Sequence, residues 1–378
     1  MTVLSYIEDV GKNEPININQ QEITELLNTK KQDVLRLMKV ASDRRDTDEI
    51  TYSKNVFIPL TEICRNSCGY CVFKKESNDP NVILLKDKQE IVEEIKFSQR
   101  YGCKEALITF GEQADKDEMV LKVLNEKGFE NIVDYLYDVC EEIVEKTNLL
   151  PHSNCGVLSY NELKKLKEVN VSMGMMVENS SPRLMETAAH KNSPGKDPKL
   201  RLKAISDAGK LNIPYTTGIL IGIGENKSEI AKSLLDIKDL HNKHGHIQEI
   251  IIQNFKGKEG TPMESHDEPS LLDMIRTVSV AKLLFDDVSI QVPPNLNYHT
   301  NQIFLLCGAD DWGGVSPLTK DYVNPDDKWP QISELQKFSM ELGFKLKERL
   351  AIYDKYINEN HLNQKLLSKT KLLVELLK

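Results

Sequence analysis

The chain has 378 residues, of which 40% are apolar, and carries a formal net charge of −9. This length and apolar share allow one large domain with extensions or two domains, and the acidic balance disfavours a protein that grips nucleic acid through its phosphates. No run of about eighteen apolar residues occurs, so no membrane span is expected; the first residues lack a basic segment followed by an apolar one, so no secretory signal is expected.

Residues 1–50 read as a polar, helical amino-terminal extension. Ile23, Leu26, Leu27, Val34, Leu35, Leu37 and Met38 recur at helical spacing, and a charged connector, residues 43–49, follows. From 51 to 292 short apolar runs alternate with helical segments. Residues 55–60, 105–110, 149–154, 171–177, 215–221, 249–255 and 289–292 read as strands. Helices are expected over 87–101, 131–145, 159–169, 199–210, 226–244 and 271–285. Asp87 is a candidate cap; Ser159 with Glu162, and Asn226 with Glu229, have the side chains of helix starts. Strands alternating with helices imply parallel β units, and six or seven in succession imply a TIM-like barrel, whole or partial. Residues 293–378 read as a carboxy-terminal extension covering the barrel, with 309–317 an ordered loop and 330–343, 344–356 and 362–377 helical.

Directly after the first expected strand comes Cys64-Arg-Asn-Ser-Cys68-Gly-Tyr-Cys71. The spacing C-x3-C-x2-C can aim three thiolates from one tight loop, and thiolates are the soft ligands that iron–sulfur clusters select. Structural zinc is the alternative, but it takes four ligands, usually as two spaced pairs. The remaining cysteines, Cys103, Cys140, Cys155 and Cys307, are scattered singly and read as small buried hydrophobes. Three thiols on a cubane [4Fe–4S] cluster leave one iron open to a small molecule. Seven cysteines in this pattern fit a reducing cytoplasm better than a disulfide framework.

Gly111-Glu112, Glu178-Asn179, Gly222-Ile-Gly224-Glu225 and Gln253-Asn254 also fall just after expected strands. In a parallel barrel the strand carboxyl ends share one rim, where active sites lie. Gly222-Ile-Gly224 is not followed by the third glycine of a dinucleotide fingerprint, so it is better read as backbone passing close to a ligand.

C-x3-C-x2-C after a strand resembles the signature of the radical SAM superfamily. Tyr215-Thr-Thr-Gly-Ile-Leu-Ile-Gly-Ile-Gly-Glu225, Gly245-His-Ile-Gln-Glu249, Gln253-Asn-Phe255, Pro293-Pro-Asn-Leu296 and Asp310-Asp-Trp-Gly-Gly-Val-Ser-Pro317 narrow the resemblance to its deazaflavin-forming branch. The resemblance implies a (β/α)6-type core. It implies that Cys64, Cys68 and Cys71 each hold an iron, and that S-adenosylmethionine (SAM) chelates the fourth and is cleaved by one electron to a 5′-deoxyadenosyl radical. Tyr70 would lie near the adenine and Gly111-Glu112 near the SAM amino group. Glu178 and Asn179 would meet the ribose, Arg201 the SAM carboxylate, and the backbone at Gly222 and Gly224 the adenosine. The implied substrate is a hydroxybenzyl–ribityl-uracil adduct, made by a partner radical SAM subunit of the CofH type and closed to a deazaflavin with loss of ammonia. An external electron donor would reduce the cluster.

His152, His190, His246, Gln253, Asn254, Asn295, Asp310, Asp311 and Trp312 are candidate substrate contacts on expected rim or carboxy-terminal segments. His241, His244 and His246 form a cluster without matching carboxylates and read as surface or structural residues. A different radical SAM enzyme, such as the partner subunit or one like biotin synthase, and a zinc-stabilised scaffold are the alternative readings.

Overall fold

The structure, a computed structural model, describes residues 2–12 and 14–377. In chain order the helices and strands are α1 (Val3–Asp9), α2 (Gln20–Leu26), α3 (Gln32–Asp43), β1 (Glu49–Pro59), α4 (Lys88–Gln99), β2 (Glu105–Thr109), α5 (Glu118–Glu126), α6 (Ile132–Lys146), β3 (Leu150–Asn154), α7 (Tyr160–Lys167) and β4 (Ser172–Gly174). They continue with α8 (Pro198–Lys210), β5 (Tyr215–Ile221), α9 (Lys227–His244), β6 (Ile247–Asn254), α10 (Leu271–Leu284), β7 (Ser289–Gln291), α11 (Asn301–Leu306), β8 (Asp311–Val315), α12 (Ile332–Glu341), β9 (Lys345–Arg349) and α13 (Gln364–Leu377).

Local chemistry starts several of these helices. Asp87 accepts from the Gln89 N–H at 2.8 Å. Ser159 with Glu162, and Asn226 with Glu229, form complete capping boxes, which satisfy amides that have no partner inside the helix. Gly245, in the left-handed conformation at φ 64°, ends α9.

Strands β1 to β8 are parallel and close on themselves, because β1 pairs with both β2 and β8. One edge of β1 pairs with β8. On the other, its carboxy-terminal half runs beside β2, from Asn55↔Glu105 to Pro59↔Thr109, and its amino-terminal half beside β9, from Glu49↔Lys345 to Ser53↔Arg349. The fold is thus a complete eight-stranded barrel wrapped in helices, with α2 and α3 packed on α9 and α10 and α1 packed on α2 and α3.

Two expectations for the extension after residue 292 are corrected. The barrel does not end there: residues 309–317, expected as a loop, contain the closing strand β8, and 344–356, expected as a helix, contain β9. β8 has two glycines and no alternation. β9 is a polar flanking strand with lysines, of the kind that shields an edge. Neither carries the apolar run by which the other strands are recognised.

Past β9 the chain crosses under the amino-terminal mouth of the barrel. The Ala351 carbonyl accepts from Ser172 Oγ (2.6 Å) and Gln248 Nε2 (3.1 Å). Arg349 reaches between two inward carboxylates, with Nε 2.6 Å from Asp311 Oδ2 and Nη2 2.8 Å from Glu249 Oε1; Tyr353 Oη donates to Asp311 at 2.8 Å. Burial works to raise the Asp311 carboxyl, but Arg349 more than offsets it and holds it low. Burial pushes Glu249 up, so one guanidinium faces one firmly ionised carboxylate. Removing the cation leaves a buried charge uncompensated, which costs about 3–5 kcal/mol. Arg349→Met is therefore expected to lose about that much stability in urea unfolding at neutral pH. A loss below about 1 kcal/mol, the scale of an exposed pair, would show that this ion pair does not hold the barrel floor.

Candidate active site

The site begins where β1 ends. The chain passes Ile63 into the cysteine loop, which is held by main-chain bonds to three other segments. Arg65 N–H donates to Glu112 O (3.0 Å), Ser67 N–H to Asn192 O (3.0 Å) and Gly69 N–H to Ala189 O (2.9 Å), while Met263 N–H donates to Gly69 O (2.9 Å). Two glycines permit this closeness: a Cβ on Gly69 would lie 2.2 Å from Ala188 O, and one on Gly111 would lie 1.9 Å from Ile63 O.

Cys64, Cys68 and Cys71 are free thiols, each partly exposed. All three border a cavity of ≈ 350 Å³ among the strand carboxyl ends. Burial pushes the Cys64 and Cys68 thiols up, and the cations Lys196, Arg201 and Lys258 border the same cavity. Among the described residues no three His, Cys, Asp or Glu side chains converge on a single metal ion, as a closed zinc site requires. A cubane makes a different demand, one thiolate to each of three irons, and this loop of soft donors beside cations fits it.

Glu112 is 3% exposed and clamped. Its Oε1 takes Arg65 Nη2 at 2.6 Å, and its Oε2 takes the Val157 N–H at 3.1 Å and Arg201 Nη2 at 3.4 Å. Arg201, expected at the SAM carboxylate, is buried; it also donates through Nε to Gly195 O at 2.8 Å and through Nη1 to Met176 O.

Glu178 adopts φ 65°, the left-handed region that non-glycine residues rarely enter and that stores strain at functional sites. Bonds from its N–H to Gly218 O (3.2 Å) and from Leu220 N–H to its own carbonyl (2.9 Å) hold it there. Its Oε1 accepts from Lys196 Nζ at 2.5 Å. Burial favours the neutral acid, yet Lys196 and Arg201 outweigh it, so the Glu178 carboxyl stays low. Tyr70 Oη lies 3.0 Å from His190 Nε2, and burial with Lys196 nearby pushes His190 down to about 3.

The structure brings Tyr70, Gly111, Glu112, Glu178 and Arg201 to the cavity, with Gln253 and Asn295. Asn179, Gly222 and Gly224 are not part of its lining. Asn179 Oδ1 accepts from the Ser181 N–H at 2.8 Å. The Gly222 and Ile223 amides donate to Glu225 at 2.7 and 2.9 Å. Asn254 is occupied by Asn297 Nδ2 at 2.8 Å.

Five other candidate contacts lie outside the cavity lining. Asp310 bonds Lys282 Nζ at 2.8 Å where β8 begins, Asp311 belongs to the barrel floor, and Trp312 is fully buried against Ile50, Tyr52 and Leu335. His246, just before β6, donates through Nε2 to Ile205 O at 2.9 Å. His152 sits inside the barrel, its Nδ1 2.6 Å from Ser172 Oγ. Sequence reasoning missed Lys196, Lys258, Asp321 and Asn324, all at the cavity. Lys258 Nζ donates to Val323 O (2.8 Å) and Asn324 Oδ1 (2.7 Å), pinning a strap that sequence periodicity does not mark.

A complete parallel barrel with a three-cysteine loop over a cavity at the strand carboxyl ends defines a radical SAM enzyme. The sequence profile of the Radical SAM superfamily matches residues 58–237, and members of that superfamily use a [4Fe–4S] cluster and SAM. The chain is 61% identical over 334 residues to the 7,8-didemethyl-8-hydroxy-5-deazariboflavin synthase of Methanobrevibacter smithii, covering 88% of this chain and 98% of that one. It is 53% identical over 353 residues to the synthase of that name from Methanocaldococcus jannaschii, covering 93% and 97%. Among solved structures, the FeFe-hydrogenase maturase HydG from Carboxydothermus hydrogenoformans aligns with a TM-score of 0.74 at 16% identity, over 99% of this chain and 89% of that one. Methylornithine synthase (PylB) aligns with a TM-score of 0.70 at 18% identity, over 92% and 97%. These two share the fold. The chain belongs to the radical SAM superfamily and, within it, to the family of 7,8-didemethyl-8-hydroxy-5-deazariboflavin synthases.

Two outcomes follow from this geometry. Gly111→Ala drives a methyl group into the Ile63 carbonyl and to 2.6 Å from Cys64 Cβ, so the variant is expected to lose most of its iron on anaerobic reconstitution while keeping its circular dichroism; undiminished iron would show slack in the loop. His246 is buried and neutral, pushed from 6.5 down to about 3 by burial and then by His244. A depressed folded value means that the unfolded chain binds the extra proton, so stability is full above 6.5 and is lost as pH falls toward 3. His246→Gln is expected to flatten that acid slope by about 1.4 kcal/mol per pH unit in urea unfolding; an unchanged slope would refute the assignment.

Proposed function

We propose that this chain is a radical SAM carbon–nitrogen lyase. It forms 7,8-didemethyl-8-hydroxy-5-deazariboflavin from 5-amino-5-(4-hydroxybenzyl)-6-(D-ribitylimino)-5,6-dihydrouracil with loss of ammonia, in coenzyme F420 biosynthesis. One observation carries the reading: the cysteine loop borders the barrel cavity in a chain 61% identical to a synthase of that name.

Cys64, Cys68 and Cys71 hold the cluster. When bound, cluster and SAM would supply the radical chemistry that opens the reaction. The chain's own residues do the rest. Glu178, with Oε1 given to Lys196, keeps Oε2 for a ribose hydroxyl. Arg201 is a positioning residue, committed to Gly195, Met176 and Glu112, which keeps Glu112 beneath the cysteine loop. Tyr70, beside neutral His190, offers an aromatic face next to the last cysteine. The barrel walls and the strap at 321–329 keep water from reactive species. Asn179, Gly222 and Gly224 support this rim through their turns rather than from the cavity wall.

The adduct comes from a CofH-type partner subunit, and an external donor reduces the cluster in a reducing cytoplasm. No described helix is long and apolar enough to cross a membrane.

Reconstituted protein given SAM, dithionite and the adduct is expected to yield deazaflavin and 5′-deoxyadenosine by mass spectrometry, and Cys68→Ala to abolish both. Deoxyadenosine without deazaflavin would remove the substrate assignment and keep the chemistry. Neither product from a protein with an intact cluster would overturn the mechanism.

A further inference from the structure

Six carboxamide side chains line the cavity, those of Asn66, Asn154, Gln253, Gln291, Asn295 and Asn324. Four of them are engaged by the protein. Asn66 Oδ1 accepts from the Gly195 N–H at 2.8 Å, and Asn154 Oδ1 lies 3.2 Å from His152 Nε2. Asn295 Nδ2 and Asn324 Nδ2 both donate to Asp321 Oδ2 at 2.9 Å. The carboxamides of Gln253 and Gln291 bond no protein group among the described residues, yet neither has an oxygen or nitrogen sealed off from the cavity. Polar groups inside proteins are almost always paired, so two that stand open and unpaired on a cavity wall point to a ligand.

The two sit on neighbouring strands at different depths. Gln291 on β7 is in register with Ile251 on β6, and Gln253 lies two residues further along β6. Alternation puts Ile251 and Gln253 on one face of the strand, and both border the cavity with Gln291. Beneath them on the same face is Glu249, whose Oε1 takes Arg349 Nη2 at the barrel floor, 2.8 Å away. Along the strand direction Gln253 is therefore about 7 Å nearer the rim than Gln291. Gly313 on β8 makes room for the lower amide. A Cβ there would lie 2.1 Å from Gln291 Nε2, and its φ of 71° is one that glycine adopts freely.

A carboxamide both donates and accepts, as does each hydroxyl of a polyol. Partners stepped along a wall suit a chain that presents hydroxyls in succession. The flat edge of a ring asks instead for partners at one height. We infer that Gln253 and Gln291 form the subsite that holds the ribityl hydroxyls of the substrate, with that chain running down the barrel toward the Arg349 floor. This rests on the proposed substrate and names the residues that select its side chain. The direction leaves the pyrimidinedione ring and the hydroxybenzyl group on the cysteine side of the cavity. Sites built around such hydrogen bonds reject analogues that lack them, because the site's own polar groups are then left unpaired.

The test is equilibrium binding, followed by fluorescence, of the deazaflavin product and of its pentyl analogue, which keeps the ring and lacks the chain hydroxyls. The protein is the cluster-reconstituted full chain with SAM, and deazaflavin formation from the adduct is measured in parallel. Wild type is expected to prefer the ribityl ligand by about tenfold or more, and Gln253→Leu and Gln291→Leu each to lose most of that preference. Iron content and circular dichroism report whether each variant folds; if neither does, the two ligands on wild type decide the matter. Equal binding of both ligands by wild type, binding of neither, or the preference retained in either folded variant overturns the inference. So does a variant that keeps the ribityl preference but no longer distinguishes the product from its N3-methyl derivative, which would put the ring edge at these amides instead. Turnover without a chain preference leaves the proposed function standing and removes the subsite. A chain preference that the variants lose, without turnover, does the reverse.

Discussion

β1 hydrogen-bonds along both of its edges, to β8 on one side and to β2 and β9 on the other. That double pairing closes the sheet, and closure of eight parallel strands brings every strand carboxyl end to one rim. Cys64, Glu112, Glu178, Gln253 and Gln291 come from five different strands or the loops behind them. They meet because the barrel is closed, not because any of them is near another in sequence. An open sheet of the same strands would spread them along an edge.

The two mouths of the barrel then take opposite roles. The amino-terminal mouth is filled by Arg349, Tyr353 and the Ala351 carbonyl, which satisfy inward polar groups with good geometry, as buried charge requires. The carboxy-terminal mouth leaves its polar groups facing a cavity. Its rigidity comes from backbone contact: the cysteine loop is bonded to segments near 112, 189–192 and 263, with glycines at the closest approaches. Such a frame fixes three sulfurs in place before any cluster arrives, which lowers the entropic cost of assembling a site.

HydG and PylB share this barrel at 16% and 18% identity. Fold at that distance says little about chemistry, because function resides in the groups placed on the fold. What separates members of such a superfamily is the inward face beneath the cluster. In this chain that face carries Gln253, Gln291 and Asn295, along with a strap drawn from beyond the last barrel helix.

Local signals carried much of this molecule. The caps at Asp87, Ser159 and Asn226 form as their side chains dictate, since capping is settled within one helical turn. Seven apolar runs became strands, and the cysteine spacing fixed one loop's donors. Arg201 is where local and global diverge: the resemblance assigns it to the SAM carboxylate, yet tertiary packing buries it against Gly195, Met176 and Glu112. β8 and β9 were not legible, because a glycine-rich strand and a lysine-rich one have no periodicity of their own and become strands only beside β1. Asp310, Asp311 and Trp312 were drawn toward the rim by their polarity, but the strand's direction puts them at the other end. Lys196 and Lys258 gave no signal, since a lysine's partner is set by which loops pack together. The sequence by itself determined the helix starts, the strand runs and the three thiols, because those depend on neighbours a few residues away. Only the tertiary structure decided which mouth of the barrel each polar residue faces, because that depends on closure and register between strands hundreds of residues apart.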